Sequence, residues 1–125
     1  MTDTATTIDA ETTVGRYLDA WNASPQDRPA LVEAVFSPDA YYCDGASEVA
    51  GHLGITAMMD GIAERFPGST FTRSSAVDTH HSQARFAWTL TGADGTTIVD
   101  GIDAMRLAPD GRITVTLGFF GIAVP

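Results

Sequence analysis

Apolar residues recur along this chain with two different periods, and the switch between them divides it. From about Ile8 to Ser24, Val14, Tyr17, Leu18 and Trp21 repeat at three- and four-residue spacing. That spacing predicts a helix with one buried face. Thr7 stands at the expected N-cap, and the ASPQD stretch around Pro25 ends the helix. A short second helix follows in RPALVEAVF, with Pro29 suited to a first turn. It stops by Ser37, because Pro38 disfavours helical backbone in the residue before it. DAYYCDG reads as a strand ending at Gly45 and ASEVAG as a loop. HLGITAMMDGIAERF is a third helix, with Ile55, Met58, Met59, Ile62 and Phe66 on one face and Pro67–Gly68 closing it.

Beyond Gly68 the period is two. Strands are predicted in STFTRSSAVDTH, QARFAWTLTG, TTIVDGIDAMRL and RITVTLGFFG. The linkers ADG (93–95) and PDG (109–111) are hairpin turns in which glycine supplies the positive φ. Helices first and an antiparallel meander after make an α+β domain, with the helices on one face of a curved sheet. Residues 1–7 are expected to be disordered and 8–125 to form a single domain.

One residue breaks the pattern. In TTIVDGIDAMRL, one strand face carries Val99, Gly101, Asp103, Met105 and Leu107, apolar apart from a carboxylate in its middle. Asp103 lies too far from either turn to cap one. Apolar neighbours would raise its pKa by desolvation and tend to keep it protonated, and a neutral carboxyl is a hydrogen-bond donor. Asp44 is the second candidate: it shares a strand face with Tyr42, although Asp-Gly is also a common turn opener. Tyr17 is the third. An aromatic in a helical stripe is ordinarily core, but a buried phenol needs a partner, and a helix laid over the sheet can aim it at Asp103.

Charge and motifs exclude other classes. Seven arginines, no lysine and sixteen acids give a net charge of −9, without the basic footprint of a nucleic-acid binder or the attraction needed for an anionic membrane. A neutral or weakly polar small molecule is the expected partner. The single cysteine, Cys43, cannot form an internal disulfide; with no signal-peptide pattern, a cytoplasmic protein is expected. No metal or cofactor motif is present. His80 and His81 are adjacent, so a regular strand would turn them to opposite faces, and His52 is expected to be exposed at the start of the third helix.

The YLDAWN helix, VFSPDAYYCDG, the GI of the third helix and GIDAMRLAPDGRITVTLGFFG resemble the nuclear transport factor 2 superfamily, its SnoaL-like branch in particular, over Val14 to Gly121. The resemblance implies a cone-like fold of three helices and a strongly bent, mostly antiparallel sheet around an open-mouthed apolar pocket, usually in a homodimer formed through the convex sheet face. Among its branches the catalytic positions are most similar to those of ketosteroid isomerases. The general base falls on Asp44, and the oxyanion donors fall on Tyr17 of GRYLDA and Asp103 of IDAMRL. That family is the standard example of a carboxylic acid kept neutral in order to donate. The sequence departs from it where supporting tyrosines would fall near Phe36 and Met59, and where Gly45 follows the base in place of proline. The expectation is a cofactor-independent, ketosteroid-isomerase-like enzyme, or a related cyclase, acting on an apolar ring substrate (steroid, terpenoid or polyketide). Phe86, Trp88, Val99, Met105 and Phe120 are expected to line its pocket. The alternative is a non-catalytic binder of an apolar metabolite.

Overall fold

The computed structural model of the chain describes residues 3–121, with side chains from residue 10 on. Helices α1 (Asp3–Asn22) and α2 (Arg28–Val35) lead into strand β1 (Phe36–Cys43). Strand β2 (Glu48–Ala50) precedes helix α3 (Gly51–Arg65). Strands β3 (Thr70–Arg73), β4 (Asp78–His80), β5 (Gln83–Thr91), β6 (Thr97–Leu107) and β7 (Ile113–Phe120) complete the chain. The first helix starts at Asp3, so Thr7 lies inside it and does not cap it. Of the segment expected to be disordered, Met1 and Thr2 lie outside the described residues.

The sheet runs β2-β1-β7-β6-β5-β3, with β4 also on β5. Its β5–β6–β7 meander is antiparallel, and the two hairpin glycines take the predicted positive φ, 86° at Gly95 and 88° at Gly111. The pairing of β1 with β7 is parallel, within a sheet that is mostly antiparallel as expected. Two features depart from expectation. ASEVAG, read as a loop, contributes β2 against β1. The single strand expected over STFTRSSAVDTH is two. Arg73 faces Trp88 and Asp78 faces Arg85, so five steps on one side oppose three on β5. The extra residues form a bulge, the ordinary device for bending a sheet. Ser75 fills the gap by accepting the Ala87 N–H at 2.8 Å.

The three helices cover the concave face. Val14, Tyr17 and Trp21 of α1, Val32 and Val35 of α2 and Ile55 and Met59 of α3 are buried against Ala84, Phe86, Leu90, Met105, Leu107 and Ile113. Arg28 fastens the helices together at 0% exposure. Its Nε donates to the Ala20 carbonyl at 3.0 Å and its Nη2 to the Ala23 carbonyl at 2.6 Å, while Nη1 pairs with Asp60 of α3. A cation thus satisfies the orphan carbonyls at the end of α1. His52 is half-buried, not exposed as expected, because its Nε2 donates to the Phe36 carbonyl at 2.8 Å and ties α3 to β1. Among the described residues no helix is long and apolar enough to cross a membrane.

Candidate active site

The helices do not fill the concave face to its end. Between the C-terminal halves of α1 and α3 and the sheet lies a cavity of about 400 Å³, and Tyr17, Tyr42, Asp44 and Asp103 meet in its wall. Apolar side chains supply most of the rest. Trp21, Phe71, Trp88 and Phe120 form a run of ring contacts with centroids 4.7, 5.6 and 6.4 Å apart. Edge and tilted contacts of this kind are favourable for aromatic rings.

Asp103 is 4% exposed. Tyr17, one face of α1 away, donates its O–H to Oδ2 at 2.6 Å. Trp88, on the neighbouring strand, donates its indole N–H to Oδ1 at 2.9 Å. Burial pushes the Asp103 carboxyl up to about 6, and Asp44 adds to the rise; the two donors pull the other way. The upward direction matches the sequence reading. The value leaves Asp103 largely ionised at neutral pH, and Trp88 can only donate, so Oδ1 is an acceptor. Burial first, then the Asp103 charge, raises Tyr17 well above the ordinary phenol and keeps it an O–H.

Asp44 closes β1 beyond Cys43. Its Oδ1 accepts the backbone N–H groups of Ala46 and Ser47 at 2.8 and 2.9 Å, and its Oδ2 accepts the Tyr42 O–H at 2.5 Å. Both readings of this residue therefore hold at once: it organises the turn after β1 and it faces the cavity. Tyr42 is raised by burial first, then by Asp103 and Asp44.

Two glycines set the spacing. A Cβ on Gly118 would lie 2.8 Å from Asp103 Oδ1 and 3.1 Å from Asp44 Cβ, so the carboxylates approach each other over a bare stretch of β7. A Cβ on Gly101 would lie 2.5 Å from Trp88 Cζ2, so the indole lies flat across β6 only because that side chain is missing. Phe120 likewise packs on Gly45, where a Cβ would come within 3.0 Å of the ring.

Of the expected pocket residues, Trp88, Val99 and Phe120 line the cavity. Phe86 and Met105 do not. Both point inward as alternation requires, but they lie under the helices, Phe86 with its ring 6.0 Å from that of Tyr17, and both are buried in the core. Asp103 marks the floor, and Met105 is on the far side of it. Phe36 and Met59, where supporting tyrosines were sought, are fully buried core residues, and Tyr42 supplies a hydroxyl from β1 instead. The sequence reading missed the Tyr42 bond, although the spacing of Tyr42 and Asp44 on one strand face signals it. It also took Trp88 as lining only; the register set by the ADG hairpin puts Trp88 opposite Gly101, beside Asp103. Contrary to expectation, His80 and His81 do meet, Nδ1 to Nδ1 at 3.0 Å, because His81 takes φ 54° and leaves the strand. Among the described residues, no group of three or more histidine, cysteine, aspartate or glutamate side chains is placed to hold a metal.

Comparison with known proteins agrees with this architecture. No protein of curated function matches the sequence. A proposed isomerase of the SnoaL-like family from Agrobacterium tumefaciens superposes with a TM-score of 0.87 at 31% identity, over 92% of this chain and 99% of that one. A proposed SnoaL-like polyketide cyclase from Jannaschia sp. gives 0.75 at 18% identity over 90% and 85% of the two chains. A proposed ketosteroid isomerase from Kribbella flavida gives 0.68 at 18% over 94% and 83%. The last two show the fold alone. The family model for the SnoaL-like domain matches residues 14–116, from within helix α1 to the middle of β7, which takes in Tyr17, Tyr42, Asp44, Trp88, Val99 and Asp103, and the chain belongs to that family, within the nuclear transport factor 2-like superfamily.

Proposed function

We propose that the cavity is the active site of a cofactor-independent isomerase acting on an apolar ring ketone. The observation that carries this reading is the bonded pair Tyr17–Asp103, 2.6 Å apart, sharing an apolar chamber with a second carboxylate. Asp44 takes a proton from the carbon between a carbonyl and a β,γ double bond, leaving a dienolate, and returns it to the γ carbon to give the conjugated ketone. Tyr17 donates to the developing oxyanion. When Asp103 is protonated, Trp88 reserves Oδ1 for acceptance, so the proton sits on Oδ2 and donates to the Tyr17 oxygen. The Tyr17 O–H is then free to turn toward the ligand. Donors preorganised in such a site contribute several kcal/mol to the transition state.

The test is an absorbance assay for isomerisation of a β,γ-unsaturated cyclic ketone, wild type beside Asp44→Asn. Loss of about 10²–10⁴-fold in the variant, with ligand binding kept, supports Asp44 as general base. Equal rates in both remove it. A second reading, a binder without turnover, draws on one observation: all three donors around Asp44 are already engaged with it.

The outer sheet face carries Ile102, Ala104, Val115, Leu117 and Phe119, the last 65% exposed. We assign this face to a second copy of the chain. Sedimentation of Phe119→Glu beside wild type checks it, a monomer being expected for the variant only.

A further inference from the structure

The cavity has a charged end and a charged mouth, of opposite sign. Asp44 and Asp103 lie in its wall beside the tyrosines. At the opening, Arg65 in the last turn of α3 is the only cation among the lining residues. Its guanidinium carbon lies 5.3 Å from the centroid of the Phe66 ring, which also lines the cavity, a cation–π contact that holds the charge at the rim. The ion pairs among the described residues join Arg28, Arg85 and Arg112 to aspartates, and Arg65 is in none of them. Arg16, Arg73 and Arg106 stand outside those pairs too, but Arg65 alone among the arginines lines this cavity. Ile98 and Phe120, which also line the cavity, are exposed and apolar.

Resting on the reading of the cavity as a ring-ketone site, we propose that its ligand is an amphipathic acid. An apolar ring body fills the chamber, its carbonyl reaches Tyr17, and a carboxylate or comparable anionic group at the other end meets Arg65. The chain's net charge of −9 repels anions generally, so a local cation at the mouth is what admits this class.

The probes are 6-hydroxy-2-naphthoate, whose phenol mimics the enol and whose carboxylate lies at the opposite end, and its methyl ester. Calorimetric titration at low ionic strength is expected to show the acid bound about fivefold more tightly than the ester, the scale of an exposed ion pair. Arg65→Gln abolishes the preference while the ester's affinity is kept, Arg65→Glu reverses it, and added salt weakens it. Arg85→Gln, which changes net charge equally on the outer face, leaves it intact. An acid that binds no better than the ester, or a preference that survives Arg65→Gln or is lost in Arg85→Gln, overturns the anion site while the chamber stands. Failure of both probes to bind the wild type removes the chamber reading and this inference together.

Discussion

The indole of Trp88 reaches Asp103 across the bare backbone of Gly101. The N–H to Oδ1 distance is 2.9 Å, and the ring occupies the space a Cβ at 101 would need. A missing methyl group on one strand thereby fixes which oxygen of the buried carboxylate is free to carry a proton. Gly101→Ala is expected to displace the indole, since Phe119 O also lies 2.5 Å from the new Cβ and cannot yield as a side chain would. Overpacking of this kind costs about 1–3 kcal/mol. Urea unfolding measures it, and a variant as stable as wild type with unchanged tryptophan emission contradicts it.

Asp103 makes stability depend on pH with a defined sign. Burial holds its carboxyl at about 6 in the fold against an ordinary 3.8, so the native state binds the proton more tightly than the unfolded chain. Its contribution is fully present below about pH 4 and is lost as pH rises through 6. Two pKa units correspond to about 3 kcal/mol. Asp103→Asn retains an acceptor for Trp88 and a donor for the Tyr17 oxygen and removes the charge. It is expected to match wild type near pH 4 and to exceed it by up to that amount at pH 7.5. Parallel pH profiles for the two proteins would sink the argument.

Tyr42 donates to Asp44, the proposed base, and to no other residue among the hydrogen bonds described. Tyr42→Phe removes the 2.5 Å bond to Asp44 Oδ2 and leaves the ring in place. One hydrogen bond to a charged group is worth about 1.5–3 kcal/mol. Isomerisation is therefore expected to fall about tenfold or more in kcat, with KM little changed. A change confined to KM would make Tyr42 a ligand contact instead.

Arg28 holds the end of α1, and so Tyr17 and Trp21, against α3. Arg28→Met leaves three carbonyls without their donor and Asp60 without its cation. The expected loss is about 3–5 kcal/mol by thermal or urea unfolding. Asp60→Asn, at a site one-third exposed, is expected to cost much less.

Much of this was legible in the sequence because it depends on period. Alternation along β6 singles out Asp103 as a carboxylate on an apolar face, and the three-four spacing of α1 puts Tyr17 on the same side as Trp21. The glycine turns then fix the registers of β5, β6 and β7. Alternation assigns a face and says nothing of depth, which is why Phe86 and Met105 face inward yet miss the chamber. The remaining site geometry comes from contacts that no local pattern encodes. The parallel pairing of Tyr42 with Thr116 joins residues more than seventy positions apart. The Trp88–Asp103 bond depends on what Gly101 lacks. His81 departs from its strand through a single positive φ.

The place of β7 in the sheet has a consequence for how the molecule comes into being. It is the last of the described strands to be made and yet it lies in the middle of the order, with β1 on one side and β6 on the other. During synthesis the carboxylates of Asp44 and Asp103 belong to two sheet fragments with no shared edge, and each fragment presents a bare row of amides and carbonyls to the same missing neighbour. Contacts of such long sequence separation close slowly. Insertion of this one strand seals both edges and brings the two acids together over Gly118, so the chamber depends on β7 being in place.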